Sequence, residues 1–109
     1  MEVLAGVRLM TTPAFEFEWD EAKAIANANK HSVSFELAMT VFLDALAVTL
    51  FDDEHGEDED RWVTIGRASN SETLVVVHTF KPTSADRTLV RLISARPPTR
   101  RELQAYEEG

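Results

Sequence analysis

Residues 14–31 read AFEFEWDEAKAIANANKH, and a change of period inside this stretch decides the fold. From Ala14 to Trp19 apolar and charged residues alternate, the pattern of a half-buried strand. Asp20 is placed to cap whatever follows, because its carboxylate can accept from the free N–H groups of a first helical turn. After it the spacing becomes helical. Ala22, Ile25, Ala26 and Asn29 share one stripe, predicted to be buried, while Lys23, Asn27, Lys30 and His31 gather on a separate side.

Working outward, Ser34 reads as a second cap, and Phe35, Ala38, Met39 and Phe42 follow at the spacing of a core-facing helix. Ala47 to Phe51 is apolar and β-branched, hence strand-like. Three further strands are predicted at Arg61 to Arg67, Thr73 to Phe80 and Thr88 to Arg96. The connectors are Ala68 to Glu72, suited to a hairpin, and Lys81 to Arg87, where Pro82 marks a turn. Pro97 and Pro98 stop the last strand. Thr99 and Glu102 then form a capping box for a short final helix with Leu103 and Tyr106 on its apolar edge. Short links between consecutive strands favour antiparallel pairing. The expectation is an α+β fold in which a small antiparallel sheet packs against two N-terminal helices and a short helix closes the chain. Residues 1–13 are expected to be an N-terminal extension and residues 14–109 a single domain.

The chain has 109 residues, enough for one such domain, with 44% apolar residues and no cysteine. The lack of cysteine excludes a disulfide scaffold, a thiol nucleophile and a cysteine zinc site. No apolar run reaches the roughly 18 residues that a membrane-spanning helix needs, and the first residues do not resemble a secretory signal. A cytoplasmic protein with no membrane partner is expected. The net charge of −8 argues against indiscriminate polyanion binding, but its distribution is uneven. Residues 1–60 hold 14 acids against 3 bases, and residues 61–109 hold 5 acids against 8 bases. Seven of the acids fall between Asp52 and Asp60. That run does not match a calcium loop: with Gly56 at the sixth position, Phe51 would stand first, where an aspartate is required. The histidines His31, His55 and His78 are not paired at metal spacing, and there is no glycine-rich phosphate loop, so no metal and no cofactor are expected.

What remains is a set of cations near titratable groups. Arg61, Arg67, Arg91 and Arg96 stand on or at the ends of strands, and a guanidinium suits phosphate well. Arg61 and Arg67 share strand parity. Arg91 and Arg96 do not, so they are expected to diverge unless Arg96 lies past the strand end. Each such arginine needs a partner, and Glu102 is one available acid. His31 and His78 are the groups that titrate near neutrality.

The ordered set of motifs resembles the BrnT family of toxins from bacterial type II toxin–antitoxin pairs. The motifs are FEWDEAKAIANANKHSVSF (residues 17–35), RWVTIG (61–66), VVHT (76–79), RLISAR (91–96) and TRRELQAYE (99–107), together covering about residues 15–108. The resemblance implies a RelE-like ribonuclease fold and RNA cleavage that stops translation. It also implies an antitoxin of the BrnA type with a ribbon-helix-helix part, through which alone the toxin would meet DNA. A metal-free ribonuclease can use the substrate's 2′-hydroxyl as nucleophile, given a base, cations on the phosphate and an acid for the leaving oxygen. Lys30 or His31 is the candidate base, Arg61, Arg91 and Arg96 the phosphate cations, and His78 the acid or positioning donor. Lys23, Asn27, Arg67, Arg100 and Arg101 are candidate RNA contacts. A catalytically inactive homologue that only binds its antitoxin is the alternative.

Overall fold

The computed structural model describes residues 7–11, 14–52 and 59–109. It is an α+β structure built on one sheet of six strands in the order β1-β2-β6-β5-β4-β3. The strands are β1 (Val7–Thr11), β2 (Phe15–Asp20), β3 (Val48–Asp52), β4 (Arg61–Arg67), β5 (Thr73–Ser84) and β6 (Arg87–Arg96). The helices are α1 (Glu21–His31), α2 (Phe35–Met39), continued by a 3-10 turn over Thr40–Leu43, and α3 (Arg100–Glu108).

The sheet is mixed, not antiparallel throughout. Strands β3 to β6 form the antiparallel meander that short connections demand. But β2 lies parallel to β6, with Glu18 level with Arg91. The helical segment carries the chain from the end of β2 to the far edge of the sheet, and the meander brings it back beside β2 in the same direction. Val7–Thr11, placed by the sequence in the extension, pairs antiparallel with β2 as an edge strand. Lys81 to Ser84, expected in a connector, continue β5. Pro82 is tolerated there because, among the described residues, β4 accompanies β5 only as far as the Trp62–His78 pair.

The caps form where the sequence puts them. Asp20 Oδ1 accepts from the N–H groups of Ala22 and Lys23, Ser34 Oγ accepts from Leu37 N–H, and Thr99 and Glu102 complete their capping box. The core gathers Phe17 and Trp19 from β2, Leu74 and Val76 from β5, Val90, Leu92 and Ala95 from β6, and Phe35, Ala38 and Val41 from the helical segment. Each large side chain buried in this way contributes about 1.5–3 kcal/mol. The predicted buried stripe of α1 is wrong. Ala22, Ala26 and Asn29 are exposed and Ile25 is 61% exposed. The inner edge of α1 runs instead through Ala24, Asn27 and Ala28. So many alanines give the helix no decisive apolar side, and a polar anchor sets its rotation: Asn27 donates from Nδ2 to Val33 O (3.0 Å) and Ala95 O (2.9 Å) and accepts from Ala95 N–H (3.0 Å).

Helix α3 covers part of the opposite sheet face. Arg96 on β6 grips Glu102 through two 2.8 Å bonds, and Tyr106 donates its hydroxyl to Asp44 Oδ2 at 2.7 Å. Asp44 also accepts from the Arg67 and Leu46 N–H groups. The 3-10 turn packs so closely on β4 that a Cβ at Gly66 would lie 2.7 Å from Val41 Cγ1. Among the described residues no helix is long and apolar enough to cross a membrane.

Candidate nucleic-acid interface

The pleat sends alternate side chains to opposite faces, and the register of β6 shows where the arginines go. Between β5 and β6 the pairing slips at Val77/His78: His78 faces Leu92, but Val77 faces Ser94, so Ile93 is an extra residue. This bulge reverses the parity of β6 beyond it. Arg91 pairs with Thr79 and Arg96 with Val75, two positions of equal parity on β5. The expected divergence of Arg91 and Arg96 is therefore corrected, and they leave the sheet on one face, the face away from α1 and α2. By register Arg61 and Arg67 share that face, since Arg67 pairs with Thr73.

Only part of this set converges. Arg61 and Arg91 stand at the same level of the sheet and, with Lys23 from the first turn of α1, line a cavity of about 110 Å³. A second cavity of about 440 Å³ adjoins it and is lined by Glu18, Asp60, Thr79, Lys81 and Arg91. Glu59 lines both. Arg91 stands between two carboxylates, with Nε 3.7 Å from Glu18 Oε1 and Nη1 3.6 Å from Glu59 Oε1, and its side chain is 54% exposed. Those separations exceed the 2.7–2.9 Å of a tight charge-assisted bond, so the guanidinium keeps donors for another anion.

The other cations have different settings. Arg96 is committed to Glu102, whose carboxyl is held down to about 2, first by the Arg96 hydrogen bond and further by the Thr99 N–H. Arg67 stands at the far end of β4, roughly 20 Å from Arg61 by strand rise, beside Asp44 and Ser69. Asp44 is held below the usual carboxylate range, chiefly by the Tyr106 hydroxyl and then by Arg67 N–H. Arg100 and Arg101 are exposed in the first turn of α3, and Arg101 lines an apolar groove with Leu50, Val63 and Ile65. Lys30 and His31 close α1, roughly 10 Å along the helix from Lys23, and line neither of these cavities.

Two predicted site residues lie inside the protein. Asn27 is buried and directs its amide at the backbone of β6, so it does not share a surface with Lys23 and Lys30. His78 is fully buried on the helix side of the sheet. Its Nε2 lies 2.7 Å from Thr64 Oγ1 and its Nδ1 3.3 Å from Thr79 O. Its ring packs against Phe42 and Phe80, at 4.9 and 4.5 Å between centroids. Burial pushes its pKa down to about 4, so it is neutral at physiological pH. Trp62 joins the same aromatic row, edge-on to Phe51. His55 lies outside the described residues.

Sequence reasoning missed Glu18, Glu59 and Lys81. Glu18 was visible as an outward residue of an alternating strand, but its pairing with Arg91 depends on the parallel register. Glu59 was hidden among the other acids of its run.

This geometry brings Lys23, Arg61, Lys81 and Arg91 together with Asp20, Glu18, Glu59 and Asp60 in a partly open depression of balanced charge. A family model described as "Ribonuclease toxin, BrnT, of type II toxin-antitoxin system" matches residues 19–102 of the chain. No curated protein matches it.

Proposed function

We propose, since the chain belongs to the BrnT family of ribonuclease toxins of type II toxin–antitoxin systems, that its cationic sheet face binds and cuts RNA with side chains alone, without a metal. Membership supplies the toxin and ribonuclease description and implies an antitoxin partner. The place and manner of cleavage are this proposal's own, and the convergence of Arg61, Arg91 and Lys23 on one cavity is the observation that supports it most. Arg91 takes a non-bridging phosphate oxygen and Arg61 the charge that develops as phosphorus becomes five-coordinate. Donors preset for that charge are worth about a hundredfold or more each. Lys23 holds the adjoining phosphate. Cleavage stops translation, and the antitoxin, of the BrnA type with a ribbon-helix-helix part, masks the toxin and binds operator DNA.

The test has a cellular and a purified arm. Induced expression should arrest growth and degrade RNA, and co-expression of the neighbouring open reading frame should reverse both. The purified chain should cut labelled RNA equally well with and without EDTA. Arg91→Ala should abolish cutting and lower the slope of log affinity against log salt by about one. Cutting that needs an added divalent ion refutes the metal-free part. Undiminished cutting by Arg91→Ala refutes the site. The inactive, antitoxin-binding reading draws support from the two carboxylates already facing Arg91. It predicts normal growth on induction together with a stable complex with the neighbouring gene product.

A further inference from the structure

Attack by a ribose 2′-hydroxyl needs a base within hydrogen-bond reach of that hydroxyl. The imidazoles of the described residues do not line these two cavities. His78 is enclosed between Phe42 and Phe80 with both ring nitrogens facing protein oxygens. His31, with Lys30, closes α1 and lines neither cavity. Carboxylates do line them: Glu18, Asp20, Glu59 and Asp60. Asp20 is engaged as the cap of α1, with Oδ1 accepting two backbone N–H groups. Glu18 is held on β2, its side chain 29% exposed, with Oε1 3.7 Å from Arg91 Nε, and it lines only the larger cavity. Asp60 lines one cavity alone. Glu59 lines both, is 47% exposed and stands 3.6 Å from Arg91 Nη1, two residues before Arg61. An anion seated on Arg91 and Arg61 would therefore lie in the cavity that Glu59 also lines, beside its carboxylate.

We propose that Glu59 is the general base of the cleavage reaction. The assignment rests on the proposed RNA cleavage at Arg91. A Glu59 oxygen takes the 2′-hydroxyl proton, the 2′-oxygen bonds to phosphorus, and the bond from phosphorus to the 5′-oxygen breaks. The 5′-oxygen leaves with a proton from water, and Glu59 later returns its own to solvent, so no proton is gained or lost. The products are a 2′,3′-cyclic phosphate and a 5′-hydroxyl. Glu59 thereby acquires a role opposite to that of a plain acidic shield: its neutralisation should stop the reaction while relieving repulsion of the RNA.

The experiment compares the full-length chain with Glu59→Gln, Glu18→Gln and Arg91→Ala on a labelled oligoribonucleotide, and measures binding on its 2′-O-methyl counterpart. Glu59→Gln should lower kcat by about a hundredfold or more and leave binding equal or tighter. Glu18→Gln should lower kcat far less, and the wild type should leave a cyclic phosphate end. Wild-type or faster cutting by Glu59→Gln overturns the inference and makes Glu59 a shield. Loss of turnover in Glu18→Gln alone moves the base to β2 and also overturns it. A wild type that binds RNA but does not cut it overturns the proposed function and the inference together. A Glu59→Gln protein that cuts while Arg91→Ala does not overturns the inference alone.

Discussion

Asn27→Ala distinguishes a residue that touches RNA from one that holds the fold. The side chain is 7% exposed and makes three hydrogen bonds, two to Ala95 and one to Val33, joining residues 68 positions apart. Truncation leaves Ala95 N–H, Ala95 O and Val33 O without these partners. One buried group left unsatisfied costs about 1–3 kcal/mol. Some relaxation and water entry place the whole effect near 3 kcal/mol, a large fraction of the roughly 5–15 kcal/mol that stabilises a domain. At about 4–8 °C per kcal/mol, the melting temperature should fall by about 15 °C. The check is thermal melting followed by circular dichroism, with RNA affinity measured well below both transitions. Affinity should be unchanged once corrected for the folded fraction. An Asn27→Ala protein that melts with the wild type yet binds RNA several-fold more weakly would refute this reasoning and return Asn27 to the surface.

The buried His78 makes stability depend on pH. Its folded-state pKa, lowered to about 4, lies below the unfolded value near 6.5, so the unfolded chain binds the extra proton first and stability falls as pH drops through that window. Between pH 6.5 and 5 the loss should be about 2 kcal/mol, measured by urea titration, and His78→Leu should lack it. A pH-independent urea midpoint in the wild type over that range would contradict the burial. Arg96→Ala should cost about 1–2 kcal/mol by freeing Glu102 and loosening α3, with cutting by the folded protein reduced less than tenfold. A hundredfold loss of turnover at unchanged melting temperature would instead put Arg96 on the phosphate.

The residues that fixed local geometry were legible because their physics is local. Asp20, Ser34 and Thr99 each serve a backbone N–H within three positions, and no tertiary knowledge is needed to see it. Phe17, Phe35 and Ala38 followed from period alone. What could not be read depends on contacts made across the chain. The parallel pairing of β2 with β6 arises from where the meander ends, not from any property of Phe15 to Trp19. The face of α1 was misread because alanine, exposed or buried, changes the energy little, whereas one amide satisfying the β6 backbone changes it by several kcal/mol.

The same distinction explains the site. Parity counting on β6 failed because Ile93 is an extra residue, and a bulge leaves no mark in composition. Once the bulge is counted, a chain with a net charge of −8 presents arginines from separate strands on one face. Net charge sets the potential far from the protein, and at physiological salt that potential is screened within about 8 Å. A phosphate at Arg91 is closer than that to its cations, and also to Glu18 and Glu59. The acids nearest the site therefore decide affinity, and distant ones chiefly set the approach rate. Neutralising Glu107 or Glu108, in the last turn of α3, should alter the association rate at low salt and leave cutting at physiological salt unchanged. Neutralising Glu59 should act on the bound complex at any salt.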